Sequence, residues 1–212
     1  MARPIVYGPA LSSYVWSVRL ALAEKGVAHA LVDVPFGEHR KEPHLSRHPF
    51  AKVPAFEHDG FELYEAQAIL RYVDERFPGH PLQSPDVHEF SRMNQIIGII
   101  DAYGWPAIAG GILANRVLKP RIGVPADEAA IEAALPRAKL VLSEIARLQG
   151  EQVFLAGERV SLADLMALPL VYLFSRIPDG EAPVAAHPGL AAWLRRMAER
   201  QSFQVTRPPG AS

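Results

Sequence analysis

The chain has no cysteine. Disulfides, zinc–thiolate centres and thiol nucleophiles are therefore excluded, and any sulfur chemistry must arrive with a ligand. A disulfide reductase working through its own thiol is excluded on the same ground. No basic stripe stands out and the formal net charge is −1, so nothing asks for nucleic acid as a partner. Gly-x-Ser-x-Gly is missing, which argues against a serine hydrolase. His-Glu-x-x-His is missing too. The spacing of His29, His39, His44 and His48 is irregular, so no metal is expected. The opening Met-Ala-Arg-Pro-Ile-Val enters a strand with no secretory leader. The later apolar runs carry prolines or charges and are expected to fall short of a membrane span. These absences leave a cytoplasmic protein without membrane contact as the expectation.

What is present supports a core, since 49% of the 212 residues are hydrophobic. Pro4 to Tyr7 reads as a strand, broken by Gly8-Pro9. A helix follows from about Tyr14 to Lys25, with Val15, Val18 and Leu22 on one face and Gly26 as its stop. Ala28 to Val34 is dense in apolar residues and predicts an inner strand covered on both faces. A polar loop from Phe36 to Arg47 leads to a hairpin over Pro54 to Tyr64, turning at Asp59-Gly60. Pro54 should open its strand, which leaves the backbone groups of Val53 free for another partner. Glu65 then opens a helix to about Phe77, where a carboxylate suits the unpaired N–H groups. The result is a small mixed sheet with helices on both sides, over residues 1–78.

Residues 79–86 read as a linker and 87–212 as a helical domain. A long helix is expected from about Val87 to Leu118, kinked at Pro106, with Gly110-Gly111 offering softness or a close approach. A second runs from about Asp127 to Leu148 across Pro136. Ser161-Leu162-Ala163-Asp164 has the form of a capping box ahead of a buried helix. That assigns Asp164 to stability and not to catalysis. A last amphipathic helix carries Leu190, Trp193, Leu194 and Met197.

Ser12 and Ser13 stand between a strand and a helix. Either can cap the helix; the other can donate its hydroxyl to an anion at the helix's positive end. A serine that stabilises another molecule's thiolate needs no general base, because the hydrogen bond alone lowers the thiol pKa. His39, Arg40 and Lys41 form a basic cluster able to clamp a carboxylate, and Lys52 reads the same way. Glu65 is the acid opposite them. A zwitterionic tripeptide with a central thiol matches that order of charges. Leu11, Tyr14, Tyr103 and Trp105 are candidates for an apolar substrate pocket; core packing and, for Tyr14, an interface are the alternatives. Trp16 reads as pocket or interface.

Several stretches together resemble the glutathione S-transferase family. They are Tyr7-Gly8-Pro9-Ala10-Leu11-Ser12, Leu22-Ala23-Glu24-Lys25-Gly26, Pro49-Phe50-Ala51-Lys52-Val53-Pro54, Glu65-Ala66-Gln67-Ala68-Ile69 and Ser161-Leu162-Ala163-Asp164-Leu165. The loop from Gly37 to Pro43 is most similar to the serine-type, phi-like branch and its bacterial homologues. The resemblance implies an α/β thioredoxin-like N-terminal domain that binds glutathione and an all-α C-terminal domain that forms the hydrophobic cosubstrate site. It implies a homodimer, and a cis bond before Pro54. Ser12 becomes the catalytic residue, with Ser13 the alternate. The glycine carboxylate of glutathione falls to Lys41, with His39 and Arg40 as alternates. Val53, beside Pro54, pairs through its backbone with the cysteinyl moiety. Lys52 lies near the ligand, and Glu65 meets the γ-glutamyl end. Ala66 departs from the family's serine or threonine, which implies weaker glutathione binding. Transfer to a small hydrophobic electrophile is the leading expectation. Glutathione-dependent peroxide reduction, or a non-catalytic glutathione-binding protein, are the alternatives.

Overall fold

A computed structural model describes residues 2–35 and 37–210. The chain divides into two compact units, one of Met1–Leu82 with Glu199–Ser212 and one of Gln83–Ala198. The last residues therefore pack with the sheet-bearing unit, where the sequence reading carries them in the helical domain.

In the first unit, β1 (Ile5–Tyr7), β2 (Ala30–Val32), β3 (Ala55–His58) and β4 (Phe61–Tyr64) form one sheet in the order β2-β1-β3-β4. β1 is parallel to β2 and antiparallel to β3. Helix α1 (Ser13–Glu24) is the crossover between the parallel strands, and α3 (Ala66–Arg76) follows the hairpin. A short 3-10 turn (Glu38–Arg40) and α2 (His44–Arg47) fill the connection from β2 to β3. The hairpin turns on Asp59 and Gly60, both at positive φ (51° and 77°), the backbone of a type I′ turn.

β2 is not an inner strand. It lies at the sheet edge and is half-buried to exposed. Apolar composition cannot separate an edge from a centre, because the difference depends on whether another strand arrives beside it. Helix α10 (Gln201–Thr206) packs on α1: the Trp16 and Phe203 rings stand 5.3 Å apart, and Trp16 Nε1 donates to Thr206 Oγ1 at 3.0 Å. Trp16 is fully buried, so it is a core residue and lines neither pocket nor interface. Lys25 at the end of α1 pairs with Asp74 of α3 at 2.9 Å, with both side chains buried. Lys25 also donates to His80 O, and Leu82 N donates to Asp74. With those further partners the buried pair is satisfied, which is the condition for such a pair to persist.

In the second unit, α4 (Val87–Ile99) continues without a break into a π-helical stretch (Ile100–Leu118) and α5 (Lys119–Arg121). Pro106, where a kink is expected, lies inside this wide helix. Proline has no N–H and its ring crowds the preceding turn of an α-helix, and a wider turn relieves both. As one helix of 35 residues, Val87–Arg121 is long and apolar enough to cross a bilayer by length and composition, contrary to the expectation of interrupted runs. Some 44% of its most apolar window is buried inside the fold, as in the core helix of a globular domain. Gly111 sits where an added Cβ would stand 2.6 Å from Ala134 Cβ. Of the two readings of Gly110-Gly111, close approach is what the structure uses at Gly111, against α6 (Glu128–Gln149).

Helix α7 (Leu162–Ser175) is almost entirely buried, and α8 (Pro178–Ala185) and α9 (Pro188–Ala198) complete the unit. Asp164, fully buried, accepts from Ser161 N (2.8 Å), Ser161 Oγ (2.7 Å), Leu155 N (2.9 Å) and Trp193 Nε1 (2.7 Å). The expected capping role is present, and it extends to α9 through the tryptophan.

Candidate functional site

Everything near Ser12 begins with Gly8. It leaves β1 at φ +147°, and an added Cβ would stand 2.5 Å from Val15 Cγ2 and 3.0 Å from Val53 Cβ. Only a residue without a side chain lets the exit of β1, the first turn of α1 and the residue before Pro54 meet in one place. Ser12 closes the turn, with its N–H on Pro9 O at 3.0 Å, and is the N-cap of α1. Its Oγ accepts from Val15 N at 3.5 Å, a long cap bond. A hydroxyl that accepts there still has its hydrogen to donate.

The two serines are not equivalent. Ser12 is half-buried, whereas Ser13 is 7% exposed and its carbonyl accepts from Ser17 Oγ. The accessible hydroxyl is Ser12. Tyr7 offers another hydroxyl on β1, but it donates to Glu57 Oε2 at 2.8 Å, and the Arg47 guanidinium lies 4.4 Å from its ring centre. Burial and then the Glu57 carboxylate hold the phenol above its ordinary pKa, so Tyr7 stays protonated and committed. Leu11 and Tyr14 flank the serines and are half-buried.

The Val53–Pro54 bond is cis, as the resemblance implied, and so is Glu42–Pro43, which no residue signal announced. Pro54 lies one residue before β3. The backbone N–H and C=O of Val53 make no bond to another backbone group among the described residues. They form an open edge suited to an extended peptide. The preceding carbonyl is fixed: His44, 2% exposed, places Nε2 at 2.7 Å from Lys52 O. His48 stacks against His44 and Tyr64, with ring centres 6.4 and 4.8 Å away. From the sequence these histidines read only as candidate metal ligands. The signal for their packing role was the i, i+4 spacing of His44 and His48 just before the proline loop.

Glu65 precedes α3 at φ +70°. A positive φ at a non-glycine residue is uncommon, and such outliers gather at binding sites. Its exposed carboxylate makes no cap bond to α3, which corrects the expectation that it would sit on the helix's N–H groups. The N–H groups of the first turn and the acid are thus both available to a ligand. Ala66 is 6% exposed and brings no side-chain donor.

The basic loop sorts differently from the expectation. Lys41 is turned to Glu38 at 2.7 Å on the surface. His39 accepts from Gly37 N at 3.2 Å. Burial first, and then the charges of Arg40, His44 and Lys52, hold its imidazole below the ordinary pKa. Tyr103 (52% exposed) and Trp105 belong to the second unit.

Burial also holds His29 and His48 below their ordinary pKa. A histidine with a depressed folded-state pKa refuses protons that the unfolded chain takes up. Stability is then steady above about pH 6.5 and falls as the pH drops below it. The melting temperature is expected to fall between about pH 6.5 and 5, with a smaller fall in His48→Gln. A melting temperature unchanged or rising over that interval contradicts this.

Among the described residues no group of three or more His, Asp or Glu is placed to hold a metal ion. Residues 6–81 match the family model described as the glutathione S-transferase N-terminal domain, and residues 99–201 match the C-terminal domain. The chain is 30% identical to glutathione S-transferase F6 of Arabidopsis thaliana over 96% of this chain and 99% of that one. Its fold is similar to glutathione transferase F7 of Populus trichocarpa, with a TM-score of 0.86 and 28% identity over 96% and 97% of the two chains. It is also similar to maize glutathione S-transferase I in complex with an atrazine glutathione conjugate, with a TM-score of 0.84 and 26% identity over 97% and 96%.

Proposed function

The chain belongs to the glutathione S-transferase family, and from that premise we propose that Ser12 carries the transfer. The protein is an enzyme that conjugates glutathione to electrophiles, with glutathione as cosubstrate. The finer assignment, a serine-type member, rests on one observation: the accessible hydroxyl at the N-cap of α1 keeps a hydrogen to donate, while the Tyr7 hydroxyl is given to Glu57 and Ser13 is buried.

Glutathione lies extended along Val53, its cysteinyl backbone pairing with the open N–H and C=O there. Its γ-glutamyl end meets Glu65 and the first turn of α3. Its glycine carboxylate meets Arg40 and His39; Lys41, held by Glu38, contributes at longer range with Lys52. The thiol then rests at the positive end of α1 beside Ser12. The hydroxyl and the aligned N–H groups favour the thiolate. The thiolate attacks the electrophilic carbon, a carbon–sulfur bond forms, and the leaving group departs with the electron pair of its own bond. Leu11 and Tyr14, half-buried beside the serines, offer apolar surface to the electrophile. Tyr103 and Trp105, in the second unit, are the other apolar candidates for contact with the electrophile. The enzyme works in the cytoplasm as a homodimer; Phe50, 68% exposed on the loop before β3, supports a partner-facing surface, which sedimentation analysis reads directly.

The test is turnover of glutathione with a chlorodinitrobenzene. Saturable conjugation by the wild-type protein is expected. Full occupancy by glutathione with no turnover across varied electrophiles would make the protein a binding module instead. The γ-glutamyl carboxylate lacks a hydroxyl donor at Ala66, and one charge-assisted bond is worth roughly 1.5–3 kcal/mol. Ala66→Ser is therefore expected to tighten glutathione binding about tenfold or more by calorimetry; equal affinities contradict this.

A further inference from the structure

His44 opens α2, and His48 follows it as the C-cap, four residues on. Both residues are 2% exposed. Their rings stack with centres 6.4 Å apart, and the His48 ring lies 4.8 Å from that of Tyr64, the residue before Glu65. The row of three rings runs from the loop before Pro54 to the start of α3, within the sheet-bearing unit.

Packing alone does not explain imidazole here. The Nδ1 atoms of His44 and His48 are buried with no hydrogen-bond partner. A phenyl ring would fill the same space and strand no polar atom, and native folds keep few stranded ones. What a phenyl ring cannot supply is the bond from His44 Nε2 to Lys52 O, at 2.7 Å. A carbonyl oxygen only accepts, so Nε2 carries the hydrogen and Nδ1 is bare.

Lys52 O belongs to the same peptide unit as the Val53 N–H. That peptide bond is trans, since among the described residues only the bonds before Pro43 and Pro54 are cis. A trans peptide is planar, and its C=O and N–H point in opposite directions. Holding the oxygen on one side therefore aims the N–H toward the other. A donor on the oxygen also polarises the amide, which makes its N–H a stronger donor.

We infer that His44, braced by the His48 ring, is a positioning residue for glutathione: it aims and polarises the Val53 N–H that donates to the cysteinyl backbone. This rests on the transferase reading above. His44 acts on binding and not on the chemical step, because Ser12 lies outside its contacts.

Calorimetry with glutathione, together with steady-state kinetics on a chlorodinitrobenzene, tests it. His44→Phe keeps a stacking ring and loses the donor. It should weaken glutathione binding about five- to tenfold, the worth of one hydrogen bond. At saturating glutathione its kcat should stay within about twofold of the wild type. His44→Gln carries an N–H at the same reach and should restore most of the affinity. Tyr72→Phe removes a bond of similar length elsewhere, 2.9 Å to His58 Nδ1. It should lower the melting temperature and leave glutathione affinity unchanged. Should His44→Phe not fold by circular dichroism, His44→Asn, whose amide stops one bond short of the carbonyl, decides in its place. The inference is overturned if the folded variant without the donor binds glutathione like the wild type, or if its kcat falls as far as its affinity. It is also overturned if His44→Gln loses as much as His44→Phe, or if Tyr72→Phe weakens binding as far. A wild type that binds no glutathione is a different result, and it overturns the transferase reading itself.

Discussion

Ser12→Ala lowers kcat/KM toward a chlorodinitrobenzene about 100-fold, the order seen when one preorganised donor to a developing or resident oxyanion is removed. A hydroxyl that makes the sulfur anion more stable lowers the thiol pKa, and each pKa unit is worth about 1.4 kcal/mol. A hundredfold loss corresponds to a bound thiol about two units less acidic. Glutathione affinity should change little, because Val53, Glu65, Arg40 and the first turn of α3 are untouched. Ser12→Thr keeps a hydroxyl and should keep most of the activity. Ser13→Ala should keep all of it, since Ser13 is buried with its carbonyl engaged by Ser17. The cap bond lost with Ser12 is long, at 3.5 Å, so the fold loses at most about 1 kcal/mol. Stability and turnover therefore separate. Unchanged kinetics in Ser12→Ala would remove it from the mechanism.

Asp164→Ala is expected to be the most destabilising single change in the helical unit. Its two oxygens collect four donors from the loop at Leu155, the start of α7 and the indole of Trp193 in α9. Complete burial pushes this carboxyl above the usual carboxylate range, and the four donors pull it back. Removing the acceptor strands buried N–H and O–H groups. Single losses of that kind cost about 3–5 kcal/mol, against a total of roughly 5–15 kcal/mol for a domain. The melting temperature should drop by on the order of 10 °C. A drop within about 2 °C would show that the donors find other partners.

The capping box at Ser161 and Asp164, and a cap at Ser12 or Ser13, were legible in the sequence because each pairs residues within one turn of chain; the Leu155 and Trp193 donors to Asp164 were not. Asp59-Gly60 was legible too, because positive φ at two adjacent positions restricts residue choice so strongly. What could not be read was set by distant chain. Trp16 read as a pocket or interface residue, and its actual partners, Thr206 and Phe203, come from α10 at the far end of the chain. β2 looked like an inner strand because its neighbours in the sheet, and the empty place beside it, are not written in its own residues. The resemblance preferred Lys41 for the glycine carboxylate, with His39 and Arg40 as alternates, and the ion pair of Lys41 with Glu38 is not written in that resemblance. Pro106 announced a disturbance correctly, but a kink and a widened helix are both answers to one missing N–H. The histidines before Pro54 carried no metal spacing; their use, as packing around the Lys52 carbonyl, depends on where the hairpin comes to rest.

A pH titration of protein-bound glutathione, read by the ultraviolet absorbance of its thiolate, reaches the central claim without any electrophile. With the wild type, the band should grow in at least about two pH units below the ordinary thiol value of about 8.5, and in Ser12→Ala it should return toward that value. A bound thiol that ionises no more readily than a free one, or identically in both proteins, would contradict the account.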